Sequence, residues 1–389
     1  MFKEISPSAI IMGLLVAFAG FAASFAVVLQ GLTAVGANQE QAASGLMVLA
    51  VAMGLCGILL SLFSRIPVSI AWSTPGAALL VTTGVVEGGF AVAVGGFVVC
   101  AIAIILSGLW KPLAKAIDLI PMPLANAMLA GILLGLCLAP FKAIAFDPVL
   151  GLPIFLAWVI VGAWNRLMAV PAALLAFILV MIFGIDLPTD GLSKISAALV
   201  PELVWVMPEF SLAGITNIAL PLFIVTMASQ NIPGIAVLKS NGYPVHTGKW
   251  FTTTGLFSLA GAPFGGHAIN LAAITAAMCA GEEAHPDKDR RYWSAVIAGV
   301  GYIVFGLFAG AVTAFVSLAP SILIEAVAGL ALIGAFSLAA RAAFEAEETR
   351  EAAAVTFLLT ASGISIAGVS GAFWGLLAGG LVMLVKKLF

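Results

Sequence analysis

Three clusters of polar residues interrupt otherwise apolar stretches of the chain, and each offers groups able to hold a ligand. One is Trp72-Ser73-Thr74, directly before Pro75-Gly76. Another is Ser229-Gln230-Asn231, just before Pro233-Gly234. The third is His267 with Asn270, behind Pro263-Phe264-Gly265-Gly266. Hydroxyls followed by proline suit the start of a helix, because the hydroxyl satisfies a free backbone N–H and proline fits the first turn. A helix start carries unpaired N–H donors and about half a positive charge, enough to hold an anion without a basic side chain. No Lys or Arg lies deep in any apolar stretch, so an anion bound there would rely on such donors and on neutral side chains. That arrangement favours reversible binding. A carbonyl oxygen fits the same donors, so an anion is one of two ligand chemistries at this point.

His267 is the one histidine inside an apolar stretch; His246 and His285 fall in polar connections. A charged side chain at the centre of a bilayer costs on the order of 2.5 to 3.5 kcal/mol on insertion scales. Histidine avoids that by staying neutral, and it can take a proton when an anion arrives. His267 is therefore the candidate proton-coupling residue, with a neutral packing role as the alternative. Three adjacent polar residues in an apolar helix are costly unless paired, which turns Ser229, Gln230 and Asn231 toward protein or a cavity. Ser24 and Gln30 are weaker instances of the same signal, and Trp72 could stack on an aromatic ligand. Phe18, Phe21 and Phe25, at helical spacing, read as core packing. Glu325 reads as interfacial or part of a gate, and Glu87, Asp118 and Asp147 as loop charges. Cys56, Cys100, Cys137 and Cys279 lack metal-ligand spacing and read as small core residues. No nucleophile–base pair or metal cluster accompanies His267. The chain therefore does not read as an enzyme, and no catalytic residue, metal or cofactor is expected.

The elements that position these residues follow from composition. Of the 389 residues, 62% are hydrophobic and 9% charged, against about 25% charged in soluble domains. Lipid must face most of such a chain. A net charge of −2 with few basic residues argues against nucleic acid as a partner. Apolar runs of helical length favour a bundle over a β-barrel, and hydrophobicity continuing to Gly36 reads as a retained first span. Polar punctuation divides the chain into about fourteen spans. Seven lie at 8–35, 41–64, 68–86, 90–109, 120–140, 149–164 and 168–184. The others lie at 213–238, 249–262, 264–281, 292–317, 320–341, 350–364 and 366–386. A cytoplasmic N-terminus places Lys3, Arg65, Lys111, Lys115, Arg166, Lys239, Lys249, Lys288, Arg290, Arg291, Arg341, Arg350, Lys386 and Lys387 inside, and only Lys142 and Lys194 outside. Both termini are then cytoplasmic, in a bacterial inner membrane.

Seven spans on each side of the external segment 185–212 make the second half an inverted copy of the first. Pro123 to Gly135 and Pro320 to Gly334 carry weak internal similarity. The third span of each half is short and broken, at Pro67 to Ala78 and at Pro263 to Ala273. Paired interrupted spans point to a transporter's binding site; two kinked packing helices are the alternative. The expected fold is an all-α polytopic membrane protein in a seven-plus-seven inverted repeat, with two half-helices whose N-termini meet near the midplane.

The motifs Ala71-Trp72-Ser73-Thr74-Pro75-Gly76, Ser229-Gln230-Asn231-Ile232-Pro233-Gly234, Asn241-Gly242-Tyr243-Pro244 and Gly265-Gly266-His267-Ala268-Ile269-Asn270 resemble the benzoate/proton symporter family, often called BenE. The resemblance covers essentially the whole chain. More distantly, the layout is similar to nucleobase–cation symporters and sulfate-type anion transporters. That likeness implies a core domain at 1–110 and 191–318 (spans 1–4 and 8–11) and a gate domain at 111–190 and 319–389 (spans 5–7 and 12–14). It also implies short extended segments before the half-helices of the third and tenth spans. The nucleobase branch carries carboxylates where Gln230 and His267 stand here by motif position, and their replacement fits an anionic substrate. The resemblance implies proton-coupled uptake of benzoate or a related aromatic carboxylate by alternating access. Ser73, Thr74, Gln230, Asn231, His267 and Asn270 would surround the carboxylate, and Trp72 would cover the ring. Partners are thus the aromatic acid, a proton and the lipid bilayer, with a homodimer left open. A carrier of another small anion or a nucleobase, or an anion channel, are the alternatives.

Overall fold

The computed structural model describes residues 6–110, 121–166, 168–185, 191–199, 201–366 and 369–388, and these are mostly helical. Expectations resting on Lys3, Lys111, Lys115 and Asp118 lie outside the described residues. Ser6 accepts the Ala9 N–H at 3.1 Å and Pro7 takes the first turn, which together start α1 (Pro7–Ala22). Ser24, at φ −148° and ψ −1°, breaks the path before α2 (Phe25–Ala34) continues it. A reciprocal Asn38–Gln41 capping box starts α3 (Gln39–Ser64). The chain then extends into β1 (Ile70–Trp72), re-enters a helix at α4 (Thr74–Thr83) and goes on to α5 (Gly89–Leu109). Five helices follow: α6 (Met122–Cys137), α7 (Ala139–Phe146), α8 (Pro148–Trp164), α9 (Ala169–Gly184) and α10 (Gly191–Ala197).

The second half opens with α11 (Leu212–Ser240), which widens into π turns at Ile215–Ala219 and Met227–Asn231. Pro221 and Pro233 give no N–H to the ladder one turn back, and the helix loosens ahead of each instead of ending. Next come α12 (Thr247–Gly261), β2 (Ile269–Leu271), α13 (Ile274–Ala280), α14 (Tyr292–Leu307) and α15 (Ala309–Ser317). The described chain closes with α16 (Ser321–Phe344), α17 (Arg350–Ala361) and α18 (Gly371–Leu388).

Among the described residues, six helices are long and apolar enough to cross a membrane, or seven if α14 and α15, bent by 52°, count as one. This is fewer than the spans expected from hydropathy. Helices α8 and α9 have 17 and 16 residues, below the about 20 of a straight crossing, and the third and tenth expected spans are interrupted by strands. The outer surface is apolar: Phe63, Trp164 and Phe183 are 84%, 86% and 82% exposed, which only a lipid solvent tolerates in such numbers. Inside, small residues let backbones touch. A Cβ on Gly54 of α3 would stand 2.5 Å from the Gly299 carbonyl of α14, and one on Gly299 would stand 2.6 Å from the Gly54 carbonyl. The four cysteines are buried and unpaired, as core residues.

Candidate functional site

The two interrupted segments meet. β1 and β2 pair antiparallel, with Ile70 opposite Leu271, Ala71 opposite Asn270 and Trp72 opposite Ile269. α4 leaves from the Trp72 end of this ribbon and α13 follows the Leu271 end. The helix starts therefore stand about 7 Å or more apart along the strands, where the sequence suggested tips converging on one spot. Antiparallel pairing makes that separation unavoidable.

Of the two starts, α4 is the better formed. Ser73 Oγ accepts the Gly76 N–H at 3.2 Å and pairs with Thr226 Oγ1 at 2.7 Å. The Ser73 N–H donates to the Ala268 carbonyl at 2.9 Å. It also lies 3.0 Å from Asn270 Oδ1, in the amide orientation that lets Asn270 Nδ2 donate to the Leu271 carbonyl at 2.8 Å. Pro75 has no N–H to offer. The donors expected to greet an anion are thus largely engaged within the protein. On α11, Asn231 Oδ1 accepts the Leu271 N–H at 2.9 Å and so ties β2 to that helix. Ser258 of α12 accepts the Ile269 N–H at 3.0 Å. Trp72 Nε1 donates to Ser24 Oγ at 2.7 Å, and its ring lies 5.3 Å from that of Phe21.

His267 sits just before β2. Its Nδ1 accepts the Ala268 N–H at 2.7 Å, and the Phe97 ring stands edge-on at 6.3 Å. With Nδ1 as acceptor, the neutral ring carries its hydrogen on Nε2. That Nε2 is buried and has no hydrogen-bond partner among the described residues. It is a donor awaiting an acceptor, which is what a carboxylate supplies.

All seven expected site residues lie on the ribbon or next to it. Trp72, Ser73, Asn231, His267 and Asn270 are at most 2% exposed, whereas Thr74 and Gln230 keep partial exposure. The Gln30 amide on α2 is buried at both ends without a partner among the described residues. Thr226 and Ser258 were not singled out from sequence. Thr226 stands four residues before Gln230 on one helix face, a spacing that could have marked it; Ser258 gave no such signal. Phe21 and Phe25 are buried in the core, as expected from their spacing, whereas Phe18 is 44% exposed. With Phe177, Phe305 and Phe315 they line a half-open apolar cavity of about 330 Å³. Helical spacing tells which face turns inward, not whether that face meets an atom or a void.

The Asn241-Gly242-Tyr243-Pro244 motif clamps a connection. Tyr243 Oη donates to the Lys288 carbonyl at 3.1 Å, and Lys288 Nζ donates to the Gly242 carbonyl at 2.8 Å, lying 4.5 Å from the Tyr243 ring centroid. Burial pushes the Tyr243 phenol above its ordinary range. Arg291 donates to the Ala280 and His285 carbonyls, both at 2.7 Å, and so caps the end of α13.

The sequence profile of the BenE family, described as benzoate membrane transport protein, matches residues 3–385. The chain belongs to this family. It is 32% identical to the benzoate membrane transport protein of Acinetobacter baylyi over 384 residues, covering 98% of this chain and 96% of that one. It is 40% identical to the inner membrane protein YdcO of Escherichia coli (strain K12) over 385 residues, covering 99% and 97%. Among solved structures, the transmembrane domain of the cyanobacterial bicarbonate transporter BicA superposes with a TM-score of 0.61 at 17% identity, over 99% of this chain and 98% of that one. The murine solute carrier 26 member A9 anion transporter, in its inward-facing state, gives 0.55 at 13% identity, over 100% and 70%. The protein is a multi-pass membrane transporter with this fold, and not an enzyme.

Proposed function

We propose that the protein carries benzoate or a related aromatic carboxylate into the cell together with a proton, by alternating access. The observation that carries this reading is the Nε2 of His267, without a partner among the described residues and buried beside the β1–β2 ribbon in a chain of this family. In the reading, Thr74 and Gln230 meet the arriving anion, since they retain exposure. The carboxylate then takes the His267 Nε2–H, with Ser73, Asn231 and Asn270 around it and Trp72 against the ring.

Coupling follows from the other ring nitrogen. A proton can add to His267 only at Nδ1, which the Ala268 N–H occupies at 2.7 Å. Uptake of a proton therefore requires that bond to break, and the Ala268 carbonyl is the acceptor for Ser73 at the start of α4. Protonation thus pulls on the contact between the two strand segments, where a conformational change would begin. The reading further takes the chain as fourteen spans in a seven-plus-seven inverted repeat, with half-helix spans at α4 and α13 and both termini cytoplasmic. Residues 1–110 and 191–318 form a core that moves against a gate at 111–190 and 319–389, in a monomer or a homodimer.

The test is uptake of labelled benzoate by proteoliposomes under an inside-alkaline pH gradient, against protein-free liposomes that report passive entry of the neutral acid. Accumulation above the protein-free level is expected, and its absence with folded protein refutes the proposal. His267→Ala is expected to weaken benzoate binding to a residual level and to lose gradient-driven accumulation; unchanged accumulation refutes the coupling role.

A further inference from the structure

The apolar cavity borders the ribbon only through Phe21, which packs on Trp72, and has a chemistry of its own. Its wall comes from Phe18 and Phe21 of α1, Phe25 of α2, Phe177 of α9, Phe305 of α14 and Phe315 of α15, and every residue lining it is apolar. We infer that this cavity binds an uncharged single-ring aromatic molecule, and that an occupant there arrests transport. The arrest rests on the core-and-gate reading proposed above; the binding does not.

An ionised carboxylate is excluded from such a wall, because nothing in it replaces the lost hydration. The transported anion therefore has no resting place here. A neutral ring does. An apolar cavity of about 150 Å³ suffices for benzene, and this one measures about 330 Å³. The wall already shows the spacings that aromatic rings prefer. Phe21 stacks on Phe25 at 5.7 Å and tilts against Phe305 at 5.3 Å, while Phe177 meets Phe315 edge-on at 6.0 Å. A guest ring adds contacts of that kind, whereas an acyl chain gains apolar area alone and gives up more rotamer freedom.

The position explains the effect. Phe18, Phe21, Phe25, Phe305 and Phe315 belong to the proposed core, and Phe177 to the proposed gate, so an occupant touches both bodies at once. Phe21 also touches Trp72 of the ribbon. A ligand that fits one arrangement of two bodies stabilises that arrangement over the others. Inhibition is then of the noncompetitive kind, lowering the maximal rate without changing the substrate concentration for half-maximal uptake.

Methyl benzoate is the probe, since it keeps the ring and lacks the charge. Equilibrium dialysis of the labelled ester against the protein in phosphatidylcholine nanodiscs, with empty nanodiscs as background, should show saturable binding. Val312→Phe, which enlarges a lining side chain, should weaken it at least tenfold, while Val312→Ile should not. In proteoliposomes the ester should lower maximal benzoate uptake by the parent and leave uptake by Val312→Phe unaffected. Thermal unfolding establishes that the variant is folded; if it is not, Phe305→Leu, expected to weaken binding severalfold, replaces it. Binding equal in parent and cavity variants overturns the inference, as does displacement by decanol as readily as by toluene, which would assign the cavity to acyl chains. A rise in half-maximal benzoate concentration at unchanged maximal rate would move the ester to the ribbon and overturn it too. Saturable ester binding in a protein that moves no benzoate would leave this site standing and remove the proposed function instead.

Discussion

Replacing Asn231 with leucine removes the bond by which α11 holds β2. Asn231 and Leu271 are 0% and 1% exposed, so no water is at hand to take the place of the lost acceptor. The side chain's other contact, Nδ2 donating to Met227 Sδ at 3.1 Å, involves a weak acceptor and contributes little. The cost is then that of one buried N–H left unpaired, about 1 to 3 kcal/mol. If it falls on local opening of the ribbon, exchange of the Leu271 amide should accelerate roughly 5- to 150-fold. Hydrogen–deuterium exchange read by mass spectrometry on a peptide covering 266–273 measures this directly. Peptides from α17 and α18 should be unchanged. Asn231→Asp keeps an acceptor at the same reach and should preserve protection. Unaltered exchange in a folded Asn231→Leu protein would show that α11 does not restrain the ribbon, and the account of how the site is held would fall.

Gly299→Val places a branched side chain where even a Cβ would lie 2.6 Å from the Gly54 carbonyl; a loss of about 1 to 3 kcal/mol is expected, seen as a lower midpoint of thermal unfolding, while Gly334→Ala, with nothing within 4 Å, should be silent. The folded-state pKa of Tyr243 is raised above 10.0 by burial, so the stability owed to its neutral phenol is complete below pH about 10 and drains away as the pH climbs further. Unfolding followed from pH 8 upward (roughly to 11.5) should show a steeper decline in the parent than in Tyr243→Phe.

The broken segments were legible because proline, glycine and hydroxyls leave a local signature: Ser73 before Pro75 could cap a helix whatever surrounded it. The membrane class was legible for the same reason, since 9% charged residues cannot wet a surface anywhere in the chain. What the residues did not disclose is where their hydrogen bonds go. Ser73 finds Thr226, Trp72 finds Ser24 and Asn231 finds the Leu271 N–H across 153, 48 and 40 positions of sequence. Pairing at such range is decided by how helices pack, and no local pattern encodes it. Hence the donors of Ser73, Trp72 and Asn270 assigned to a ligand turned out to be engaged within the protein, and that His267 keeps Nε2 without a partner among the described residues could be recognised only from the structure. For Phe21 and Phe25 the periodicity gave the buried face correctly, and the cavity beside them was invisible.

The two loosened turns of α11 have a mechanical consequence. A π turn harbours one residue more than an ordinary turn needs. Expelling that surplus would screw the following stretch about 100° round its axis. The second surplus spans Met227–Asn231, so the side chains swung first would be those of Gln230 and Asn231. The helix thus carries a ratchet tooth at the spot where cargo is proposed to sit. Release of Leu271 by Asn231 and re-aiming of Gln230 would then be one and the same movement.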